Sequence, residues 1–325
     1  MSSLRPLAGL RIGISVAAAE DLATRGFTED GMNRLTIRLA RRLLDEGATL
    51  CFGHDWRHQG IMDAICRAAL DSFGFPGKED AAPMILNLVP WPDKTEIPGE
   101  VLERLQGILQ VEPAGLPDDL EQAASSLLAS ESAADASLMR YLRARGLSYL
   151  RRRLTQESQA RICLGGKERS FSGRYPGILE EAAFTLEGKQ PLYLVGLLGG
   201  AALRVGAAIL DGAEQPPGSG EDAFRQPDDG TPPLADLYER YSTGSGLFSL
   251  TPSRPSDLLD DRVLDLAGAW DLVRRLGSTR LAGVNGLSRE ENQRLLHTGL
   301  EDEALYLIVT GLRRLQKPSE SVRRE

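Results

Sequence analysis

Two glycine turns between residues 160 and 206 have the pattern of anion-binding sites. In each one a short apolar run ends in a glycine pair, Gly165–Gly166 or Gly199–Gly200, and a helical pattern follows. Backbone N–H groups at the start of a helix lack partners within the helix and carry partial positive charge, so they bind phosphate or carboxylate groups. Lys167 and Arg174 lie near the first turn and add positive charge. These residues predict a site for a phosphorylated small molecule, with a nucleotide as the first candidate.

Two consecutive glutamates, Glu180 and Glu181, come in the first turn of the helix that Pro176 and Gly177 begin. The apolar stripe of this helix points Glu181 away from the core and leaves Glu180 beside the stripe. A carboxylate here suits a ribose, whose hydroxyl groups it would bind, and in an enzyme it would assist departure of a base from an oxocarbenium-like sugar. The alternative is ordinary acidic charge at a helix N-terminus, which the helix dipole favours.

Polar residues also follow the first two apolar runs of the chain. Ser15 ends the first run, and Gly53, Asp55 and Arg57 follow the second. A serine donates to phosphate, a glycine lets the backbone approach a ligand, and an acid accepts from a ribose or a base. The alternative for Asp55 is a cap for the next helix, and for Gly199–Gly200 it is close packing of a helix on the sheet.

The composition excludes some classes of function. The chain has 325 residues and a formal charge of −8, whereas a nucleic-acid-binding face needs an excess of basic residues. The three cysteines form no CxxC motif and no histidine cluster accompanies them, so we expect buried thiols, no metal site and no resident cofactor. Neither a signal-peptide pattern nor a run of about 18 apolar residues occurs, so we expect a cytoplasmic protein without a membrane contact.

Short apolar runs alternate with helical periodicity over the first two-thirds of the chain. This alternation predicts an α/β protein with a Rossmann-like open parallel sheet and helices on both faces. The glycine turns fall at the carboxyl ends of strands, where ligands bind in such folds. The predicted strands are residues 11–16, 48–53, 84–89, 107–111, 161–164 and 192–195, and the predicted helices among them are 31–46, 60–73, 100–105 and 116–157.

The second part of the chain predicts a helical extension. We expect a nucleotide-binding domain over residues 1–210, an acidic linker rich in Pro and Gly over 211–233, helices over 234–316 and a disordered tail over 317–325. The helical patterns of the extension are residues 234–241, 257–276, 288–297 and 302–315. Because these helices have apolar stripes, we expect them to cover the sheet edge or to form a homo-oligomer interface.

These motifs resemble the SLOG superfamily, the Rossmann-like nucleotide-binding proteins named after Smf/DprA and LOG. The LOG enzymes carry the fingerprint PGGxGTxxE, and residues 176–181 read PGILEE, which matches its GTxxE part without the threonine. Residues 164–166 resemble the strand end with the first glycines. YLVGLLGG is similar to the strand and GGFGG turn of bacterial SLOG relatives, and CFGHDWRHQG resembles their GGDxRxxG segment.

The resemblance also implies a function and two catalytic candidates. LOG-type enzymes, which are phosphoribohydrolases, use an arginine on the helix before the PGG strand, and Arg152 in the run 151–153 is the closest match by spacing. With Glu181 it would form the catalytic pair, Arg152 clamping a phosphate bidentately; the alternative for Arg152 is a solvated helix face.

The lost threonine favours binding over turnover. The resemblance therefore implies a sensor or effector that recognises an NAD- or ADP-ribose-derived nucleotide in bacterial signalling or anti-phage defence. The alternatives are a LOG-like hydrolase of N-glycosidic bonds and a structural subunit with a vestigial pocket.

Overall fold

The structure, a computed structural model, is built around a parallel β-sheet. It describes residues 5–53, 61–73, 83–92, 102–103, 105–118, 120–121, 124–125, 136–212, 232–242 and 266–316. Within these ranges six strands form the sheet: β1 (Arg11–Ala17), β2 (Thr49–Gly53), β3 (Ile85–Pro90), β4 (Leu109–Gly115), β5 (Ala160–Gly165) and β6 (Leu192–Val195). The predicted Rossmann-like α/β fold is confirmed.

The strand order β4-β3-β2-β1-β5-β6 places β1 at the centre of the sheet. The chain builds outward from β1 to β4 on one side and then returns to add β5 and β6 on the other. Every neighbouring pair is parallel, with Gly13 of β1 opposite both Cys51 of β2 and Arg161 of β5. In such sheets the crevice beside the strand where the order reverses is the usual ligand site. Here it lies at the carboxyl ends of β1 and β5.

Helices cover both faces of the sheet. The helices whose bounds the structure defines are, in chain order, α1 (Glu29–Asp45), α2 (Ile61–Phe73), α3 (Ala136–Glu157), α4 (Gly177–Glu187), α5 (Gly200–Leu210), α6 (Leu234–Ser242), α7 (Leu266–Arg280), α8 (Arg289–His297) and α9 (Glu301–Gln316). Helices α1, α2 and α9 contribute to the core on one face, whereas α4, α5 and α7 build the core on the other. Helix α3 packs on β2, β3 and β4, and α6 packs on α3.

Local sequence explains where α1 and α8 begin. The Thr28 hydroxyl accepts a hydrogen bond from the Gly31 N–H at 3.1 Å, and Ser288 caps α8 in a capping box with Glu291. In α1, Leu35, Leu39 and other residues at helical spacing are fully buried, because they form the stripe that packs on the sheet. No helix in the described part of the chain has the length and apolar character to span a membrane.

The bounds of several predicted elements differ from the structure. Strand β4 runs from Leu109 to Gly115 rather than over 107–111, because Gly107 has a φ of +77° in the preceding turn and Pro113 is tolerated in this edge strand. Within the predicted helix-rich stretch 116–157, residues 118, 120, 121, 124 and 125 are helical and α3 covers Ala136–Glu157, whereas residues 126–135 lie outside the described residues. Residues 213–231, 257–265 and 317–325, and half of 100–105, lie outside the described residues.

Candidate functional site

A cavity of about 350 Å³ lies at the carboxyl ends of β1, β2 and β5. Cavities that bind small molecules in proteins usually have volumes of about 300–1,000 Å³. The end of β1, the start of α4 and one side of α3 form its walls. Of the residues singled out in the sequence, it is lined by Ser15, Gly53, Gly166, Lys167, Gly177 and Glu181. The other predicted residues lie elsewhere or outside the described ranges.

The first glycine turn joins β5 to the cavity in a geometry that only glycine adopts without strain. Gly165 and Gly166 have φ values of +61° and +98°. A Cβ on Gly165 would lie 2.4 Å from the Ala17 carbonyl oxygen, and one on Gly166 would lie 2.4 Å from a side-chain carbon of Ile178. Because Gly165 and Gly166 have no side chains, the end of β5 can pack closely against β1 and against the first turn of α4.

The N-terminus of α4 faces the cavity. Pro176 is its N-cap residue and its side chain supplies no capping hydrogen bond, while Gly177 and Ile178 line the cavity. A proline at this position leaves the first N–H groups of the helix to other acceptors. Because these donors and the helix dipole favour negative charge, this helix end can hold an anion from the cavity.

The Arg151 side chain extends from α3 to this helix end. A Cβ on Gly173 would lie 2.8 Å from its Nη1 atom, and a Cβ on Gly177 would lie 3.0 Å from its Nη2 atom, so both glycines make room for the guanidinium. Arg151 donates to the carboxylate of Glu180, which also accepts from the Ser148 hydroxyl at 2.6 Å. Burial lowers the pKa of Arg151, but the charges of Glu180 and Glu181 outweigh burial and the net shift is upward. Arg151 is therefore a fixed cation in the cavity wall.

A second arginine–glutamate pair lies directly behind the cavity. Arg161, on β5, donates to Glu181 Oε1 at 3.3 Å and to the Ser15 hydroxyl at 2.8 Å through the same nitrogen. Its other terminal nitrogen donates to the Thr155 hydroxyl at 3.0 Å. Arg161 is 1% exposed, and Glu181, at 9%, lines the cavity. This pair places one carboxylate inside the cavity.

Arg152, Arg174 and Pro176 do not line the cavity, and neither does Glu180. The Arg152 guanidinium lies 5.2 Å from the ring centroid of Phe184, and that of Arg174 lies 4.8 Å from the ring centroid of Tyr238. Successive residues of a helix point about 100° apart, so Arg151 faces the cavity and Arg152 faces another side. The geometry thus favours Arg151 over Arg152 as the arginine that meets a ligand.

The second glycine turn is occupied by the protein itself. The Asp21 carboxylate accepts a hydrogen bond from the Gly200 N–H at 2.9 Å, and a Cβ on Gly199 would lie 2.4 Å from the same carboxylate. Beside it, Glu20 accepts from the backbone N–H groups of Glu168 and Arg169, at 3.0 and 2.7 Å. Neither Gly199 nor Gly200 lines the cavity. At the start of α5 a carboxylate thus takes the place that the sequence assigned to a ligand.

Asp55 and Arg57 lie outside the described residues, although Gly53 and Ile61 on either side of them line the cavity. Sequence reasoning did not single out Arg161, which pairs with Glu181, or the lining residues Ser170 and Ser172, and it chose Arg152 where Arg151 lines the cavity. The available signals were the run of arginines at 151–153 and a charged residue inside an otherwise apolar strand.

Burial disfavours the thiolate form of Cys51 and Cys163, the two thiols on the strands beside the site. Burial raises the pKa of Cys163, on β5, to about 12, and that of Cys51, on β2, to about 11. A thiol with such a pKa supplies almost no thiolate near pH 7. The chemistry available in the described part of the cavity is therefore that of arginine, lysine, carboxylate, serine and backbone N–H groups.

Comparisons with known proteins identify the family. The family model described as SLOG cluster2 matches residues 6–295, which include the whole sheet, the cavity, helices α6 and α7 and most of α8. Searches of curated proteins and of solved structures gave no significant match. A SLOG domain implies a nucleotide-binding protein with a Rossmann-like fold. The chain therefore belongs to the SLOG cluster2 family.

Proposed function

We propose that this protein binds a nucleotide derived from NAD or ADP-ribose in the cavity between α3, α4 and the ends of β1 and β5. In this proposal binding, rather than turnover, is the function, and the protein is a sensor or effector in bacterial signalling or anti-phage defence. The charge around the first glycine turn is the single observation that carries the binding proposal.

The charges of the cavity favour a phosphate group. The charged side chains that line its described part are Arg151, Lys167 and Glu181, a net charge of +1 in a chain of net charge −8. The N-terminus of α4 adds backbone N–H donors and a partial positive charge at the same place. A phosphate between Arg151 and Gly177 would contact both the guanidinium and these donors.

The remaining walls suit a ribose and a base. Glu181 and Ser15 are the buried polar side chains among the described residues that line the cavity, and a carboxylate there accepts hydrogen bonds from ribose hydroxyl groups. Phe52, Phe171 and several aliphatic side chains give the cavity an apolar wall. Aromatic side chains stack on any nucleobase, because every base has a π-face. The cavity thus combines the three environments that a nucleotide needs.

The sensor role is supported by the resemblance and by the degenerate fingerprint. Residues 177–181 keep the glycine and the last glutamate of GTxxE but have isoleucine in place of threonine. The proposed homo-oligomer stays a prediction. Leu300, Tyr306 and Leu315 are exposed large apolar side chains at or near α9 and are the first residues to test for it.

A LOG-like hydrolase of N-glycosidic bonds is the second candidate. One observation favours it: the buried Glu181 carboxylate lies in the cavity, where it would stabilise positive charge developing on a sugar. In the hydrolase, wild-type protein releases a base from NAD or from a nucleoside monophosphate. In the sensor, the nucleotide is recovered intact.

The experiment is titration of the purified chain with ADP-ribose, NAD and AMP by calorimetry, followed by mass spectrometry of the recovered nucleotide. We expect binding of ADP-ribose or NAD and no product. Lys167→Met should weaken binding, because the Lys167 side chain lines the cavity. Arg169→Met is the matched control: it also removes one positive charge, but the Arg169 side chain does not line the cavity, so binding should not change. Equal effects of the two substitutions, or no binding by wild type, would refute the proposal.

A further inference from the structure

Arg161 is the most deeply buried cation in the described part of the chain. It lies on β5, beside the central strand β1, is 1% exposed and donates to Ser15 and Glu181, which line the cavity. Burying an unpaired guanidinium is very unfavourable, so such a group persists only when carboxylates and hydrogen-bond acceptors surround it. Here the acceptors are Ser15 on β1, Thr155 on α3 and Glu181 on α4.

The neighbouring strand is shaped to admit this side chain. Gly13 of β1 is opposite Arg161 in the parallel register, and a Cβ on Gly13 would lie 3.3 Å from the guanidinium carbon and 3.4 Å from Nη1. The guanidinium thus packs over a position without a side chain. Three elements and one glycine hold it in one orientation, so its direction toward Glu181 is fixed.

The two oxygens of Glu181 have different surroundings. Oε1 accepts from Arg161, whereas Oε2 accepts no hydrogen bond from the residues that the structure describes. Glu181 also lines the cavity. Because Arg161 holds Oε1, Oε2 is the oxygen that can accept a hydrogen bond from a ligand in the cavity.

We infer that Arg161 is a positioning residue that holds the Glu181 carboxylate and the Ser15 hydroxyl in place, so that the protein recognises the hydroxyl groups of a ribose. The inference rests on the proposed function, because it concerns the sugar part of the same nucleotide. It adds that the choice between a ribose and a deoxygenated sugar is made by a residue that does not itself contact the ligand. Phosphate binding, by Arg151, Lys167 and α4, is independent of Arg161.

The test measures discrimination and not only affinity. Calorimetric titrations of the full chain use ADP-ribose and a panel of its analogues that each lack one ribose hydroxyl. A hydrogen bond to a charged group contributes about 1.5–3 kcal/mol to the free energy of binding, which is a factor of about 10 or more in affinity. Wild type should therefore bind at least one analogue about 10-fold more weakly than ADP-ribose, or more weakly still. In Arg161→Met this ratio should fall below about 3-fold, while some affinity for ADP-ribose remains. Arg161→Lys, which keeps the charge but not the forked geometry, should give an intermediate ratio.

Two further variants separate positioning from folding. Arg280→Met removes an arginine that caps the far end of α4 by donating to the Leu186 and Glu187 carbonyls, and it should leave the ratio unchanged. Thr155→Val keeps both charges and removes one acceptor of Arg161, so it should lower the ratio even where Arg161→Met does not fold.

The outcomes distinguish this inference from the proposed function. Wild type that binds no ADP-ribose refutes the proposed function and the inference with it. Wild type that binds ADP-ribose and all analogues equally leaves the proposed function standing and overturns the inference. The inference is also overturned if folded Arg161→Met keeps the wild-type ratio of affinities for ADP-ribose and its deoxy analogues. If Arg161→Met does not fold, the same result in Thr155→Val overturns it.

Discussion

The two glycine turns of this protein share a sequence pattern and differ in what occupies them. At the turn of Gly165–Gly166, the start of α4 faces a cavity and its cap is a proline without a capping side chain. At the turn of Gly199–Gly200, the Asp21 carboxylate accepts from the first N–H of α5. The comparison shows that a side chain of the protein itself can fill a glycine turn of this pattern, as Asp21 does at α5. At α5 the protein supplies the anion, and at α4 we propose that a ligand does.

The largest effect is expected from a negative charge at the first turn. Gly177→Asp places a carboxylate where the phosphate is proposed to bind, and its Cβ lies 3.0 Å from Arg151 Nη2. Binding of ADP-ribose should be lost, which removes the ligand-induced rise in melting temperature. Gly299→Asp is the matched control, because a Cβ on Gly299 has no neighbour within 4 Å. A folded Gly177→Asp protein that keeps the wild-type rise would place the ligand elsewhere.

The next effect concerns the buried pair of Arg151 and Glu180. Glu180→Gln removes the carboxylate partner of Arg151, and breaking a buried ion pair costs about 3 kcal/mol of unfolding free energy or more. Since Arg151 then lacks its counter-charge, the phosphates of ADP-ribose should raise the melting temperature more in this variant than in wild type. Chemical denaturation measures the unfolding free energy, and thermal unfolding with and without ADP-ribose measures the rise in melting temperature. A smaller rise than in wild type would show that Arg151 does not meet the ligand.

Glu181→Gln separates the sensor from the hydrolase. In the sensor, loss of the charged acceptor should weaken ADP-ribose binding by about 1–3 kcal/mol, and neither protein should release a base. In a hydrolase, turnover should fall by orders of magnitude while affinity changes only a few-fold, because the carboxylate acts on the transition state. Calorimetry combined with chromatography of released base distinguishes them. Base release by wild type that disappears in the variant would refute the sensor proposal.

The smallest effect is expected at the second turn. Asp21→Ala removes the carboxylate at the start of α5 and should cost about 1 kcal/mol of stability, the usual contribution of a helix cap. The dissociation constant for ADP-ribose should stay within about twofold of wild type, since this turn does not line the cavity. Denaturant titration and calorimetry give the two values. A clear change in affinity would mean that the two turns form one site.

The sheet was predictable because its signals are local. The run Ile85–Pro90 is buried along its whole length, and such short apolar runs between turns are typical of central parallel strands. Strand and helix ends were less predictable where an edge strand continues through Pro113 or where Gly115 turns the chain. The resemblance identified the correct superfamily because the SLOG motifs occur in the expected order along the chain, although each motif carries substitutions.

The site was less predictable because its decisive contacts join distant residues. Asp21 caps Gly200 across 179 positions, and Arg161 reaches Ser15 across 146. No periodicity relates such pairs. Spacing alone also does not choose between Arg151 and Arg152, since one residue turns a helical side chain by about 100°. The glycine pattern located both turns, but only the fold shows which one opens into a cavity.

The most direct test of the account is a crystal structure of the protein with ADP-ribose bound. We predict a phosphate oxygen at about 3 Å from the Gly177 or Ile178 N–H and within hydrogen-bonding distance of the Arg151 guanidinium, with the Asp21 carboxylate still on the Gly200 N–H. A phosphate seated at the start of α5, with Asp21 displaced, would contradict the account.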